Sequence, residues 1–145
     1  MTGILSAQEL RKKIAIAEGE KASAAMKKLD AAEAEKKALL DKMSRPSGLS
    51  DDEVLEKASI IINRAVENGL SAVQVYRFPH TLCTDNGRAI NQAEEGWEKT
   101  LTGIPKEIHE FWQRQLRSRG YHIRYEIIDY PGGMPGDVGV ILSWA

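Results

Sequence analysis

From residue 6 to residue 43 the chain is rich in Ala, Lys and Glu and free of proline, and its apolar residues recur at helical spacing. Ser6 with Glu9 makes a capping box at the start, and Ser44, Pro46 and Gly48 mark the stop. The apolar stripe is thin. Leu10, Ile14 and Ala17 begin one seam, whereas Ala22, Met26, Leu29, Ala32, Leu40 and Met43 drift onto another, with Gly19 between them. The pattern predicts a long helix, or a helical hairpin kinked near Gly19, whose Ala-lined seam suits a weak coiled coil. Unbroken, such a helix would reach ~55 Å at ~1.5 Å per residue.

A different pattern follows the stretch SRPSGLS, residues 44 to 50, which is a linker by composition. Ser50 and Glu53 form a second capping box, and Val54, Leu55, Ala58, Ile61, Ile62, Ala65 and Val66 then lie on one helical face up to an Asn68-Gly69 stop. Residues 71 to 78, SAVQVYRF, are β-rich and end at Pro79. Residues 79 to 90 hold little periodicity. A short helix is expected from Asn91 around Trp97 and Leu101, and another from Pro105 with Ile108, Phe111, Trp112 and Leu116 on one side, ending at Gly120.

Period-2 alternation returns near the C-terminus. Tyr121, Ile123, Tyr125 and Ile127 alternate with His122, Arg124 and Glu126, and Val138, Val140, Leu142 and Trp144 alternate with Gly139, Ile141 and Ser143. Pro131, Gly132, Gly133, Met134, Pro135, Gly136 and Asp137 join these runs as a long hairpin loop. A lone hairpin is marginal in water, so strand 71 to 78 must join it. A strand, a helical crossover and a second strand commonly pair in parallel. The expected fold is therefore α+β: a helical arm over residues 1 to 44, a linker over 45 to 50, and a two-layer domain over 51 to 145 with a three-stranded mixed sheet.

Composition changes this picture little. The net charge of the 145 residues is −1, with 28% charged residues, so global charge points to no particular partner. Residues 1 to 45 carry 10 Lys and Arg against 7 Asp and Glu, and the remainder carries 10 against 14. The single cysteine, Cys83, excludes an internal disulfide and fits a reducing, cytoplasmic setting. The N-terminal residues show no signal-peptide core, and no run has the ~18 apolar residues of a membrane span.

Candidate chemistry is sparse. His80, Cys83 and Asp85 bring together the residue types of thiol catalysis within one irregular loop, but neighbours in sequence need not meet in the required geometry. One Cys and three scattered His make no zinc spacing, and no cofactor motif is present. The loop of Gly132, Gly133, Met134 and Asp137 is a candidate binding loop; a strand follows it, where a phosphate-binding loop would be followed by a helix. Lys and Arg in the arm are interleaved with Glu and Asp, the pattern of a solvated helix, so nucleic acid is not an expected partner. A second basic cluster is Arg114, Arg117, Arg119 and Arg124, of which the arginines on the 105 to 119 helix are the cleaner group.

The segment GYHIRYEIIDYPGGMPGDVGVILSW, with TLCTDNGRAIN upstream of it, resembles small uncharacterised bacterial proteins over about residues 70 to 145. The resemblance implies a bacterial origin; it implies no activity and assigns no functional residue. The sequence thus favours a non-enzymatic interaction or oligomerisation module acting through residues 6 to 43. The alternative is a small-molecule-binding domain or thiol enzyme built from the Cys83 loop and the 131 to 137 loop, which requires those loops to meet.

Overall fold

The structure, a computed structural model, describes residues 4 to 145; residues 1 to 3 of the expected arm lie outside them. The chain divides into two compact units, one ending at Leu39 and one running Leu40–Ala145. Helix α1, Ala7–Met43, is one helix of 37 residues. Its start is the predicted capping box: Ser6 Oγ accepts from the Glu9 amide at 3.2 Å, and Glu9 Oε2 accepts from the Ser6 amide at 3.3 Å. Gly19 does not bend it into a hairpin. One glycine costs a helix roughly 1 kcal/mol, and the surrounding Ala, Lys and Glu residues are among the strongest helix formers.

In the second unit, helix α2, Asp51–Glu67, opens on Ser50, whose hydroxyl accepts from the Glu53 amide at 3.2 Å. It closes in a Schellman motif, with Gly69 at φ +75° donating to the Val66 carbonyl and Leu70 donating to the Ala65 carbonyl, both at 2.9 Å. Strand β1, Ala72–Pro79, follows. The expected helix from Asn91 through Leu101 is instead two short pieces, helix α3 at Arg88–Asn91 and a 3-10 turn at Trp97–Thr100. Helix α4, Gly103–Phe111, continues as a π turn, Trp112–Leu116, and a 3-10 turn to Gly120 at φ +91°. Gly103 is required by both backbone and space: its φ is +59°, and a Cβ there would run into the Met43 carbonyl and lie 2.7 Å from Ser44 Cα.

Strands β2, His122–Ile127, and β3, Asp137–Ser143, complete a sheet of order β1-β3-β2. Both pairings are antiparallel, which corrects the expected mixed sheet. The helical crossover does leave β1 and β2 running the same way, but the hairpin's second strand lies between them, the arrangement of a split βαβ unit. The sheet is three-stranded, as expected, without a parallel pair.

Strand β1 carries a bulge between Gln74 and Tyr76. Val73 lies opposite Leu142, whereas Tyr76 and Phe78 lie opposite Val140 and Val138. Strict alternation would put Val73 and Tyr76 on opposite faces; the extra residue, Val75, restores them to one face. That face forms the core, where Phe78, Val138 and Val140 are fully buried with Leu82, Cys83, Leu101 and Tyr125 around them. Met43, at the end of α1, is buried in the same cluster. The Tyr125 hydroxyl donates to the Pro105 carbonyl at 2.7 Å, fixing the start of α4 against the sheet.

Candidate functional site

The two loops singled out in the sequence leave the same end of the sheet, because Pro79 at the end of β1 pairs with Asp137 at the start of β3. They touch: His80 Nδ1 lies 2.9 Å from the Gly136 carbonyl oxygen, and the Tyr130 hydroxyl donates to Asn91 Oδ1 at 3.0 Å. A carbonyl only accepts, so Nδ1 carries the proton in this contact. Asp85 spends both carboxylate oxygens on backbone, accepting from the Gly87 amide at 3.0 Å and the Ala89 amide at 2.9 Å. It braces the first turn of α3, whose N-cap residue is Gly87.

Cys83 is 3% exposed and packs in the main core cluster. Burial pushes its thiol up to about 11, the Asp85 carboxylate acts in the same direction, and a hydrogen bond with Thr100 opposes them. A nucleophilic cysteine needs the reverse shift. The glycine loop is likewise occupied with its own turn. Gly132 and Gly133 have φ of +63° and +80°, the Gly133 amide donates to the Tyr130 carbonyl at 3.0 Å, and the Met134 amide donates to the Pro131 carbonyl at 3.2 Å. Met134 projects outward at 69% exposure. Asp137 belongs to an ion-pair cluster: Arg77 Nε donates to Asp137 Oδ2 at 2.6 Å, and another nitrogen of the same guanidinium donates to Asp129 Oδ2 at 3.1 Å. Asp129 Oδ1 also accepts from the Asp137 amide at 2.6 Å.

The concave feature of the second unit lies elsewhere, under α2. A cleft of about 320 Å³ is walled by α2, the sheet and α4 with its π turn; Ile61, Val75, Phe111, Trp112 and Leu142 are among its lining residues. A second hollow of about 150 Å³, including Leu55, Ile62 and Tyr121, flanks the opposite side of α2. The cause lies in the α2 sequence. Ala65 is its one buried residue, and the small Ala58 borders both hollows, so Val54, Leu55, Ile61 and Ile62 reach the sheet only in part.

Polar ties hold this helix at its N-terminal end. Arg114 donates to the two Asp51 oxygens at 3.0 and 3.3 Å, and Gln115 Nε2 donates to Asp51 at 3.0 Å. The Arg114 bond, then the Gln115 bond, holds the Asp51 carboxyl below its ordinary range. Glu107 accepts from the Ser47 amide at 3.0 Å and from the Ser47 hydroxyl at 2.8 Å, fastening the linker to α4. The Trp112 indole donates to the Tyr121 carbonyl at 2.9 Å, which fixes the wall of the cleft at the π turn.

The sequence reading missed this cleft. Two signals pointed to it: the break in alternation at Val75-Tyr76 in β1, and alanines at the centre of an otherwise bulky helix face. Among the described residues no group of three or more His, Cys, Asp or Glu could hold a metal ion. No helix among them is long and apolar enough to cross a membrane.

Fold and cleft together define an α+β protein: a long helix and a split βαβ sheet whose helical layer leaves an apolar cleft. The comparisons with family models, curated proteins and solved structures each yield no match.

Proposed function

We propose that the protein is a non-enzymatic interaction module that self-associates through α1. The observation that carries this reading is the exposure of the helix: from Ala7 to Leu39 every residue is exposed, including Leu10, Ile14, Met26, Leu29 and Leu39 at 48% to 60%. At 3.6 residues per turn Leu10, Ile14, Leu29 and Leu39 fall within a sector of about 100°, wide enough for a helix contact face. Alanines between them allow a second backbone to approach closely. The charges of the helix suit a second copy, since 9 Lys and Arg are offset by 7 Asp and Glu and two such helices repel only weakly. Burying one such aliphatic side chain is worth roughly 1.5–3 kcal/mol, so a few pairs suffice for micromolar association.

The thiol-enzyme reading has less support, although its two loops do meet. Cys83 is buried with a raised thiol, and Asp85 is committed to the Gly87 and Ala89 amides.

Light scattering on the full chain, on the Ile14→Glu/Leu29→Glu variant and on a shortened chain beginning at Leu40 tests the proposal. The full chain is expected to show a concentration-dependent mass above the monomer, and the other two to be monomeric. A monomeric full chain at sub-millimolar concentration overturns it.

A further inference from the structure

Strand β2 lies at the edge of the sheet and pairs on one side only. The Ile128 amide donates to the Asp137 carbonyl, and on the far side of β3 the Trp144 amide donates to the Ser71 carbonyl. Backbone groups of successive residues point to opposite sides of a strand. His122, Arg124 and Glu126 therefore bond β3, and Ile123, Tyr125 and Ile127 turn their amides and carbonyls outward. Among the described residues nothing bonds that outward row. Buried backbone groups are almost always paired, so an unpaired row faces water or a partner. Helix α3 is near, but it packs through Ile90 into the cluster on the core face of the strand. The opposite edge is blunted: β1 carries its bulge between Gln74 and Tyr76 and ends in Pro79, which has no amide hydrogen. Strand β2 has neither device.

The sequence of β2 is self-complementary about Tyr125. With a second copy laid antiparallel and Tyr125 opposite Tyr125, each Ile123 faces the other copy's Ile127, and all the outward residues meet as hydrogen-bonded pairs. Arg124 of each copy then faces Glu126 of the other in non-hydrogen-bonded pairs, where side chains approach most closely. Both are on the outer face, exposed at 57% and 48%, with Arg124 Nε 3.4 Å from Glu126 Oε2 within the strand. The two nearest registers that keep the backbone bonds set Arg124 against Arg124 or Glu126 against Glu126. Like charges directly opposite are destabilising, so the charges select one register. A contact one strand wide and roughly 20 Å long falls well short of the ~1,200 Å² of a stable interface, so it needs a tether. We infer that in the assembly held by α1, two copies of this chain join their β2 strands about a two-fold axis at Tyr125, making one continuous antiparallel sheet. The inference rests on self-association through α1, which turns a weak edge contact into an intramolecular one.

The test is amide hydrogen exchange on the full chain at concentrations where light scattering shows the oligomer. The Ile123, Tyr125 and Ile127 amides should exchange at least about tenfold more slowly than in the Ile14→Glu/Leu29→Glu variant, since only a second copy can bond them. The Arg124 and Glu126 amides, which bond β3 in either state, report that the sheet is intact. Arg124→Glu should abolish the added protection while the oligomer persists, and Glu126→Arg should do the same if the first variant fails to fold. The double exchange Arg124→Glu/Glu126→Arg should restore it. An oligomer whose Ile123, Tyr125 and Ile127 amides exchange as fast as in the α1 variant overturns the edge pairing and leaves the α1 reading standing. Protection that survives Arg124→Glu and Glu126→Arg, or that the double exchange fails to restore, overturns the register. A monomeric full chain overturns the α1 reading and the pairing with it.

Discussion

The imidazole of His109 meets the indole of Trp97 edge to face, with ring centroids 5.5 Å apart and planes at 85°. Trp112 and Tyr125 complete the surround, at 5.6 and 6.1 Å from the same imidazole. Through this cluster the irregular segment before α4 is tied to α4 itself. Burial lowers the His109 pKa from its ordinary 6.5, against the raising effect of Glu98 and Glu110.

The folded protein therefore favours neutral His109, and its contribution to stability is fully present above 6.5. As pH falls below 6.5 the unfolded chain takes up the proton first, and that contribution is lost as pH drops through the lowered folded-state value. Urea midpoints measured between pH 7 and pH 5 should fall with acid, and the fall should be shallower in His109→Phe. An unchanged slope in that variant would assign the acid sensitivity to other groups. Trp97 emission should quench over the same interval.

Cys83 should behave as an inert thiol. A rise from 9.0 to about 11 lowers the thiolate fraction at neutral pH about a hundredfold, and burial slows access further. Iodoacetamide should modify the native protein at least about a hundredfold more slowly than the urea-unfolded chain. Native alkylation as fast as that of a free thiol would revive the catalytic reading. Cys83→Ala should keep the fold at a cost of about 1–2 kcal/mol, the loss of one small buried group.

Asp129 holds the hairpin loop through two partners, the Asp137 amide and the Arg77 guanidinium. Asp129→Ala should cost about 1–2 kcal/mol, because it removes a part-buried charge-assisted bond and an exposed ion pair of small worth. Hydrogen exchange at the Asp137 amide should accelerate, while exchange at Val140 should change only with global stability. Equal acceleration at both amides would mean that the substitution acts on the whole sheet.

Local signals in the sequence carried much of the fold. Ser6 with Glu9, Ser50 with Glu53, Asn68-Gly69 and Gly120 marked helix ends by chemistry that depends on a few adjacent residues, and all four serve as expected. The β-rich runs became the three strands. Pairing could not be read the same way, because antiparallel placement of β1 on β3 depends on contacts between residues 58 or more positions apart. The bulge at Val75 was visible as broken alternation, yet its consequence depends on which residues of β3 lie opposite. Trp97 was read as part of a regular helix, although it sits in a 3-10 turn entered through Gly96 at φ +81° and packed on His109 and Tyr125. The cleft was the least legible feature. It is defined by what the small residues Ala58 and Ala65 do not fill, and an unfilled volume has no residue of its own.

The order β1-β3-β2 has a consequence for how the sheet comes into being on the ribosome. Until β3 is synthesised, β1 and β2 have no edge in common, since each pairs only with β3. A nascent chain released as far as Pro135 can form α1 and α2 from local signals, but it holds two unpaired strands and leaves Phe78 and Tyr125 without Val138 and Val140 to pack on. Seven residues, Asp137–Ser143, thus close the sheet and give Phe78 and Tyr125 their packing partners, and any event that delays them lengthens the interval in which that aromatic surface is open to a chaperone or to another chain.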